Sequence, residues 1–427
     1  FFVVSLMCHN RLSVLKPVPE QLTGFFLWVS LGGVLGGIFN TLIAPTMFNT
    51  VIEYPLMLVA SLAIAGLAAR AQRIHPRDGL CIMLVWGVFA AFFWVLGTHT
   101  SWADNALAGG QSAQPQLLAL FTLLGLLVLM LIYFRQKAQP FVHMAWVAPI
   151  LIISIPLFNL LIGNQEALTD RNVFGVSRVV FQPGKNAWFW RRGTTYHGMQ
   201  SAEDAHRLEQ TSYYAALADV YTALPKPLAN APVAVMGMGV GTVACYGKAG
   251  QTYDLFEIDP LVERIAKDTR YFTYLRDCAP EKNIVMGDGR ISLSKQAEKK
   301  YGLIIIDVFS SDAIPMHVLT REAVAMYATK LREGGTIAFN VSNRHIDLLP
   351  VLSAIADDIG MVGISKLSLA PLDKPLQLSS HWVVLGATPS ALASLKKSNV
   401  DWKPLPTADT QFLWRDDYSN ILRSLKH

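Results

Sequence analysis

Apolar and polar positions divide the chain into two halves of different texture. In the first half, long apolar runs alternate with short polar loops. After an apolar stretch at Phe1–Cys8, the runs cover Leu22–Phe48, Tyr54–Ala69, Gly79–Gly97, Leu117–Phe134 and Phe141–Gly163. Crossing ~30 Å of hydrocarbon takes ~20 helical residues. Four of the five runs approach or pass that length, and Tyr54–Ala69 is marginal. From Leu22 to Ala69 the one Asp, Glu, Lys, Arg or His is Glu53. The pattern predicts a multi-pass α-helical membrane domain over 1–163. Because Phe1–Cys8 reads as the tail of an apolar segment, this domain is expected to be N-terminally incomplete.

From Asn164 onward the pattern changes. Two β-like runs, Val176–Phe181 and Trp188–Trp190, flank the turn sequence Gln182-Pro183-Gly184-Lys185-Asn186. This predicts a hairpin within a small β domain over 164–200. Tyr196-His197-Gly198-Met199-Gln200 reads as a polar loop, and Ala202–Leu224 as a helical stretch. Apolar runs at Val233–Met236, Tyr253–Ile258, Ile284–Met286, Leu303–Val308 and Thr336–Val341 then alternate with helical segments at Thr242–Lys248, Leu261–Leu275, Ile291–Lys299 and Arg321–Leu331. A helix at Ile346–Ile359 and strands near Gly363–Leu369 and Trp382–Leu385 complete the series. Such alternation predicts a parallel sheet covered on both faces, an α/β Rossmann-like domain over 201–427.

Composition agrees with a divided chain. Hydrophobic residues make up 52% and charged residues 16%, against about 25% charged in soluble domains. The net charge of +5 is explained by basic membrane flanks and calls for no nucleic-acid partner. The membrane runs hold no Asp, Glu, Lys or Arg in their interiors, which weakens a transport role. Cys8, Cys81, Cys245 and Cys278 show neither a CxxC pair nor a metal spacing, so four free thiols are expected.

The chemistry lies at the ends of the predicted strands. Gly237-Met238-Gly239-Val240-Gly241 sits directly between a buried strand and a helical segment, where glycines permit a tight turn and close approach of a ligand. The second strand ends in Glu257-Ile258-Asp259, and an acid there can accept ribose hydroxyls. The third ends in Asp288-Gly289, where an acid can accept from an adenine amino group. The fourth runs into Asp307, followed by Asp312. An aspartate at the carboxyl end of a central strand faces the crevice of an open α/β sheet. Burial there would raise its pKa and suit it to general-base work. Gly, Glu, Asp and Asp on four successive strand ends describe a pocket for adenosine carrying a sulfonium. Gly237, Gly239, Gly241, Glu257, Ile258, Asp288 and Gly289 form the expected nucleoside-binding set. No HxxxH, HExxH or GxSxG pattern is present, and no metal is expected.

At these residues the sequence resembles the spermidine synthase (polyamine aminopropyltransferase) family, and more closely its bacterial membrane-embedded branch of fused transporter-like/spermidine synthase proteins. The resemblance implies a methyltransferase-type Rossmann domain preceded by a small β domain. It implies Asp307 as the catalytic residue, with Tyr196, His197, Gln200 and Asp312 lining the substrate site. It also implies S-adenosylmethionine or its decarboxylated form as donor, with methylthioadenosine as the product released. An amine attacks the methylene beside the sulfonium; the enzyme need only deprotonate, orient and exclude water.

The chain departs from the family pattern on the amine side. Val240 stands where the glycine loop carries an acid, Gly198 replaces the Glu after Tyr-His, and Asp312 lies five residues after Asp307 rather than three. Alternatives to aminopropyl transfer are therefore an acceptor-free cyclase or lyase acting on S-adenosylmethionine, a methyltransferase, and a transporter or sensor with a nucleoside-binding domain. A small nucleoside, a polyamine, the lipid bilayer and a homodimeric second copy are the expected partners. The expected location is the bacterial inner membrane. Arg11 and Lys16, Arg70, Arg73 and Arg77, and Arg135 and Lys137 mark cytoplasmic loops. Counting spans then puts the catalytic half on the opposite face, whereas cofactor supply points to the cytoplasm; the sequence leaves the side open.

Overall fold

The computed structural model describes residues 2–54, 56–58, 60–61, 166–193, 195–308, 315–398 and 401–426. The chain separates into two units, Phe1–Glu166 and Ala167–His427. In the first, a helix covers Phe2–Val14, and Pro19–Met47 is helical for 29 residues at mean hydropathy 1.8. At 1.5 Å per residue this is about 44 Å, enough to cross a bilayer. It is the one such helix among the described residues. Pro45 has no N–H to give, and just before it the helix widens into a π turn over Phe39–Ile43. The expected runs at Gly79–Gly97, Leu117–Phe134 and Phe141–Gly163, and most of Tyr54–Ala69, lie outside the described residues.

The second unit holds two sheets. The smaller has the order β1 (Glu166–Asn172), β2 (Gly175–Gln182), β3 (Ala187–Arg192) and β4 (Thr195–Ser201). β2 and β3 form an antiparallel hairpin from Ser177↔Arg192 to Gln182↔Ala187. Pro183 starts the turn and Asn186 closes it at φ 44°, a left-handed conformation that asparagine tolerates. The segment expected as a polar loop, Tyr196–Gln200, is β4. Its polar groups find partners far along the chain: Thr273 N–H donates to Gln200 Oε1 (2.7 Å), and Gln200 Nε2 donates to Thr273 Oγ1 (3.0 Å).

The larger sheet has the order β12-β10-β11-β9-β8-β5-β6-β7. These strands are β5 (Val233–Met236), β6 (Thr252–Glu257), β7 (Glu281–Met286), β8 (Tyr301–Ile306), β9 (Leu331–Asn340), β10 (Val362–Ser368), β11 (Ser380–Gly386) and β12 (Lys403–Pro404). β5 to β9 are parallel. Against expectation the far side is antiparallel: β11 pairs with β9 (Val384↔Ala338), β10 with β11, and β12 with β10. Strand direction leaves no trace in an apolar run, so the sequence could not show it. The order is that of the methyltransferase-type Rossmann fold. It reverses between β5 and β8, the switch point where open α/β sheets bind ligands. Successive residues serve opposite faces. Val233 and Val235 join one core with Leu255, Ile305 and Trp382; Ala234 and Met236 join another with Phe256, Ile304 and Phe339. Burial on both faces explains why these strands read as unbroken apolar runs.

Several helical segments are shorter than predicted, three of them markedly. Thr242–Lys248 is a 3₁₀ stretch over Thr242–Tyr246. It stops at Gly247, where a Cβ would come within 2.6 Å of Tyr253 and 2.7 Å of Pro280. Ala202–Leu224 keeps an α-helix at Ala218–Ala223 behind a 3₁₀ stretch at Tyr213–Leu217, because Ser212 is drawn into backbone bonds with Leu376 and Leu378. Leu261–Leu275 splits into Pro260–Lys267 and Tyr274–Asp277. The expectation of four free thiols is also overturned: Cys245 and Cys278, 33 residues apart, form a disulfide with Cα atoms 4.8 Å apart. They sit on elements that only the fold brings together. Cys8 is free and exposed.

Candidate active site

At the switch point the loop after β5 and the loop after β8 touch. The Asp307 N–H donates to Met236 O (2.8 Å), and the Gly237 N–H to Phe256 O (2.9 Å). Gly237 has φ +90°, and a Cβ there would lie 1.9 Å from the Asp307 carbonyl oxygen. This close approach requires glycine and fixes Asp307 beside the loop.

Glu257 ends β6, and only 8% of it is exposed. Its Oε2 accepts from the Met238 N–H (3.2 Å), and its Oε1 from the N–H groups of Ile258 (2.9 Å) and Asp259 (3.0 Å). Burial raises its pKa, opposed by these backbone donors. A carboxylate offers about four acceptor positions, so the open capacity lies on Oε2, the oxygen shared with the glycine loop. Ile258 is half-exposed beside it. Asp259 caps the helix Pro260–Lys267 through the Leu261 N–H. It also takes hydrogen bonds from Asn172 Nδ2 (2.5 Å) and the Arg192 guanidinium, tying the small sheet to the rim of the cleft.

Asp288 caps the helix Gly289–Ser294 through the Ile291 N–H (2.8 Å), and its Oδ2 faces His317 Nε2 at 3.2 Å. It lines the cleft, with both oxygens engaged. Gly289 packs where a Cβ would come within 2.3 Å of Met236, so the helix start presses against the end of β5.

Asp307 is 7% exposed. The Tyr214 hydroxyl donates to its Oδ2, and Asn340 Nδ2 donates to its Oδ1 at 2.9 Å. Burial pushes its pKa up to about 6, with the hydrogen bonds from Tyr214, Asn340 and Tyr213 opposing. Burial and the Asp307 charge hold both tyrosines far above the ordinary phenol value, so they stay neutral donors. A carboxylate that titrates near 6 and is aimed at the switch point can take a proton from an amine near neutral pH.

The small sheet supplies a wall through one irregularity. Trp190 pairs with Gly198 and Arg191 with Tyr196, which leaves His197 as the extra residue of a β-bulge. Bulges re-aim side chains. His197 joins Trp190, Arg192 and Phe174 along the cleft, facing Gly237, Glu257 and Asp307. Tyr196 faces the other way, its ring 5.4 Å from Phe189 in a separate cluster with Met199. Tyr196, expected at the substrate site, is not among the residues that line this cleft. Gln200 is likewise not among them: its amide bonds with Thr273 and the Arg207 carbonyl. Asp312 lies outside the described residues.

Sequence reasoning missed Tyr213, Tyr214, Asn340, Arg192, Trp190 and Asp259. Asn340 could have been found, because it ends β9 as Asp307 follows β8. His317 also lines the cleft.

No protein-family model matches the chain. A polyamine aminopropyltransferase of Vibrio vulnificus (strain CMCP6) is 31% identical over 125 residues, which are 27% of this chain and 38% of that protein. The match thus spans well under half of the relative. Among solved structures, a probable spermidine synthase from Corynebacterium glutamicum aligns at TM-score 0.44 and 14% identity, covering 60% of this chain and 97% of that one. The spermidine synthase of Thermotoga maritima aligns at 0.39 and 13%, covering 61% and 84%. At these values the structural likenesses do not bear on function.

Proposed function

We propose that the chain is a membrane-bound, spermidine-synthase-like enzyme that binds S-adenosylmethionine or its decarboxylated form and releases methylthioadenosine by aminopropyl-type transfer. The observation that carries this is Asp307: a buried carboxylate, titrating near 6, at the switch point beside the glycine loop and Glu257. The local identity to a polyamine aminopropyltransferase supports it. Glu257 Oε2 and the loop Gly237–Gly241 take the ribose, and Asp288 and Gly289 the adenine side. Asp307 accepts the proton of the attacking amine as the C–N bond forms and the C–S bond breaks. The C–S bonding pair passes to the sulfonium sulfur, and methylthioadenosine leaves as a neutral thioether, so no further acid is needed.

A specific observation favours a second version. Val240 is fully buried, and a Cβ at Gly198 would lie 2.4 Å and 2.6 Å from its two methyl carbons. The two positions where the family pattern carries acids are here one apolar contact. An ammonium gains nothing from it. Attack by the donor's own amine or carboxylate, which needs no acceptor site, would also release methylthioadenosine.

The chain is proposed to sit in a bacterial inner membrane through Pro19–Met47 and the apolar runs that follow. The catalytic unit is proposed to lie on the face opposite the basic loops. The Cys245–Cys278 bridge supports that side, since disulfides persist in oxidising compartments.

The test is to incubate the full chain with each donor, with and without putrescine, and to identify products by mass spectrometry. Methylthioadenosine that appears only with the amine supports transfer. Methylthioadenosine without it supports the acceptor-free version. Adenosylhomocysteine would replace both with methyl transfer.

A further inference from the structure

In a doubly wound site a helix of several turns normally follows the glycine loop and holds it rigid. Here the loop runs into a 3₁₀ stretch of five residues, Thr242–Tyr246, which has no side-chain cap and stops at Gly247. A different element braces it. The short helix Tyr274–Asp277 lies behind the loop, with Leu275 so close that a Cβ on Gly241 would meet its Cδ2 at 2.6 Å. That helix is itself anchored, because Thr273 exchanges two hydrogen bonds with Gln200 of β4. One covalent link joins brace and loop: Cys245, four residues past Gly241, is bonded to Cys278 at the end of the short helix.

We propose that the Cys245–Cys278 disulfide replaces the missing helix as the anchor of the glycine loop, so that the redox state of this one bond sets the cleft's affinity for its nucleoside. The proposal rests on the cleft being a nucleoside site. The bond forms by thiol–disulfide exchange. The two thiols give up two electrons and two protons to a protein disulfide of an oxidising compartment, which leaves as its dithiol. Reduction reverses this and leaves Thr242–Tyr246 held by noncovalent packing alone. Neither cysteine lines the cleft. Both are therefore positioning residues, and Asp307 and its proton chemistry are untouched.

The experiment uses the full chain with methylthioadenosine as the probe. Alkylation before and after reduction should label Cys8 in both cases, but Cys245 and Cys278 only after reduction. Reduced protein should bind methylthioadenosine about tenfold more weakly than oxidised protein, within the range of coupling between two sites. Linkage makes this reciprocal: saturating methylthioadenosine should lower the reduction potential of the bond by about 30 mV for each tenfold. A Cys245→Ser/Cys278→Ser double variant should match the reduced wild type and ignore reductant. It should show a raised KM with an unchanged pH limb in kcat. The reductant titration of the wild type stands by itself if that variant does not fold. Equal affinity in both redox states, a potential unmoved by methylthioadenosine, or both thiols free in the native protein would overturn the proposal. Binding in neither state would overturn the nucleoside assignment as well, which separates the two failures.

Discussion

The Tyr214 hydroxyl donates to Asp307 Oδ2 across 93 residues of sequence, and Asn340 holds the other oxygen. The carboxylate is thus fixed at both ends, buried, and set beside Gly237 with no basic partner among its described contacts. Its charge is stabilised by neutral donors alone. That keeps it basic enough to take a proton and well ordered enough to take it from one direction.

Replacing Asp307 with Asn should reduce methylthioadenosine release at least ~100-fold, the usual cost of losing a general base. Nucleoside affinity should change little, because Glu257 and the glycine loop are intact. Single-turnover mass spectrometry together with calorimetry checks both halves. Near-normal release would remove Asp307 from the mechanism.

Activity and stability should respond to pH in opposite senses at this residue. Activity needs the carboxylate, so it should rise with pH through about 6. The folded protein binds the Asp307 proton more tightly than the unfolded chain, whose ordinary value is 3.8. The group's contribution is therefore fully present below about 4 and is lost as pH rises through about 6. Denaturation midpoints across this window should fall for the wild type, and less steeply for Asp307→Asn. Tyr214→Phe removes a donor that lowers the Asp307 pKa, so the acid limb of its rate profile should move to higher pH. An unmoved limb would show that the hydrogen bond does not tune the base.

Gly198 and Val240 should behave as a coupled pair. Gly198→Ala places a carbon 2.4 Å from a Val240 methyl and should cost about 1–3 kcal/mol, as overpacking does. Val240→Ala opens the space, so the double variant should recover part of the loss, with a coupling of at least about 0.5 kcal/mol. Additive losses in chemical denaturation would contradict the packing described.

The strand-end residues were legible because each lies at or just past the end of an apolar run. Gly237, Glu257, Asp288 and Asp307 need no long-range information to be placed. The groups that tune them were not legible in the same way. Tyr214 lies in an irregular stretch whose position depends on backbone bonds from Ser212 to Leu376 and Leu378. His197 reaches the cleft through a bulge that no alternation pattern reveals, and the same bulge leaves Tyr196 on the far face. The Cys245–Cys278 bond depends on two short elements that sequence periodicity merged into longer helices. Asp288 was placed at the cleft, yet its second role as a helix cap, facing His317, appears only in three dimensions.

The most direct measurement is titration of the purified full chain with methylthioadenosine by calorimetry, beside a Glu257→Gln variant. A saturable single site is predicted, weakened at least about tenfold by the substitution, since a hydrogen bond to a charged group contributes about 1.5–3 kcal/mol. Absence of any binding, or binding indifferent to Glu257, would contradict a nucleoside held at the end of β6.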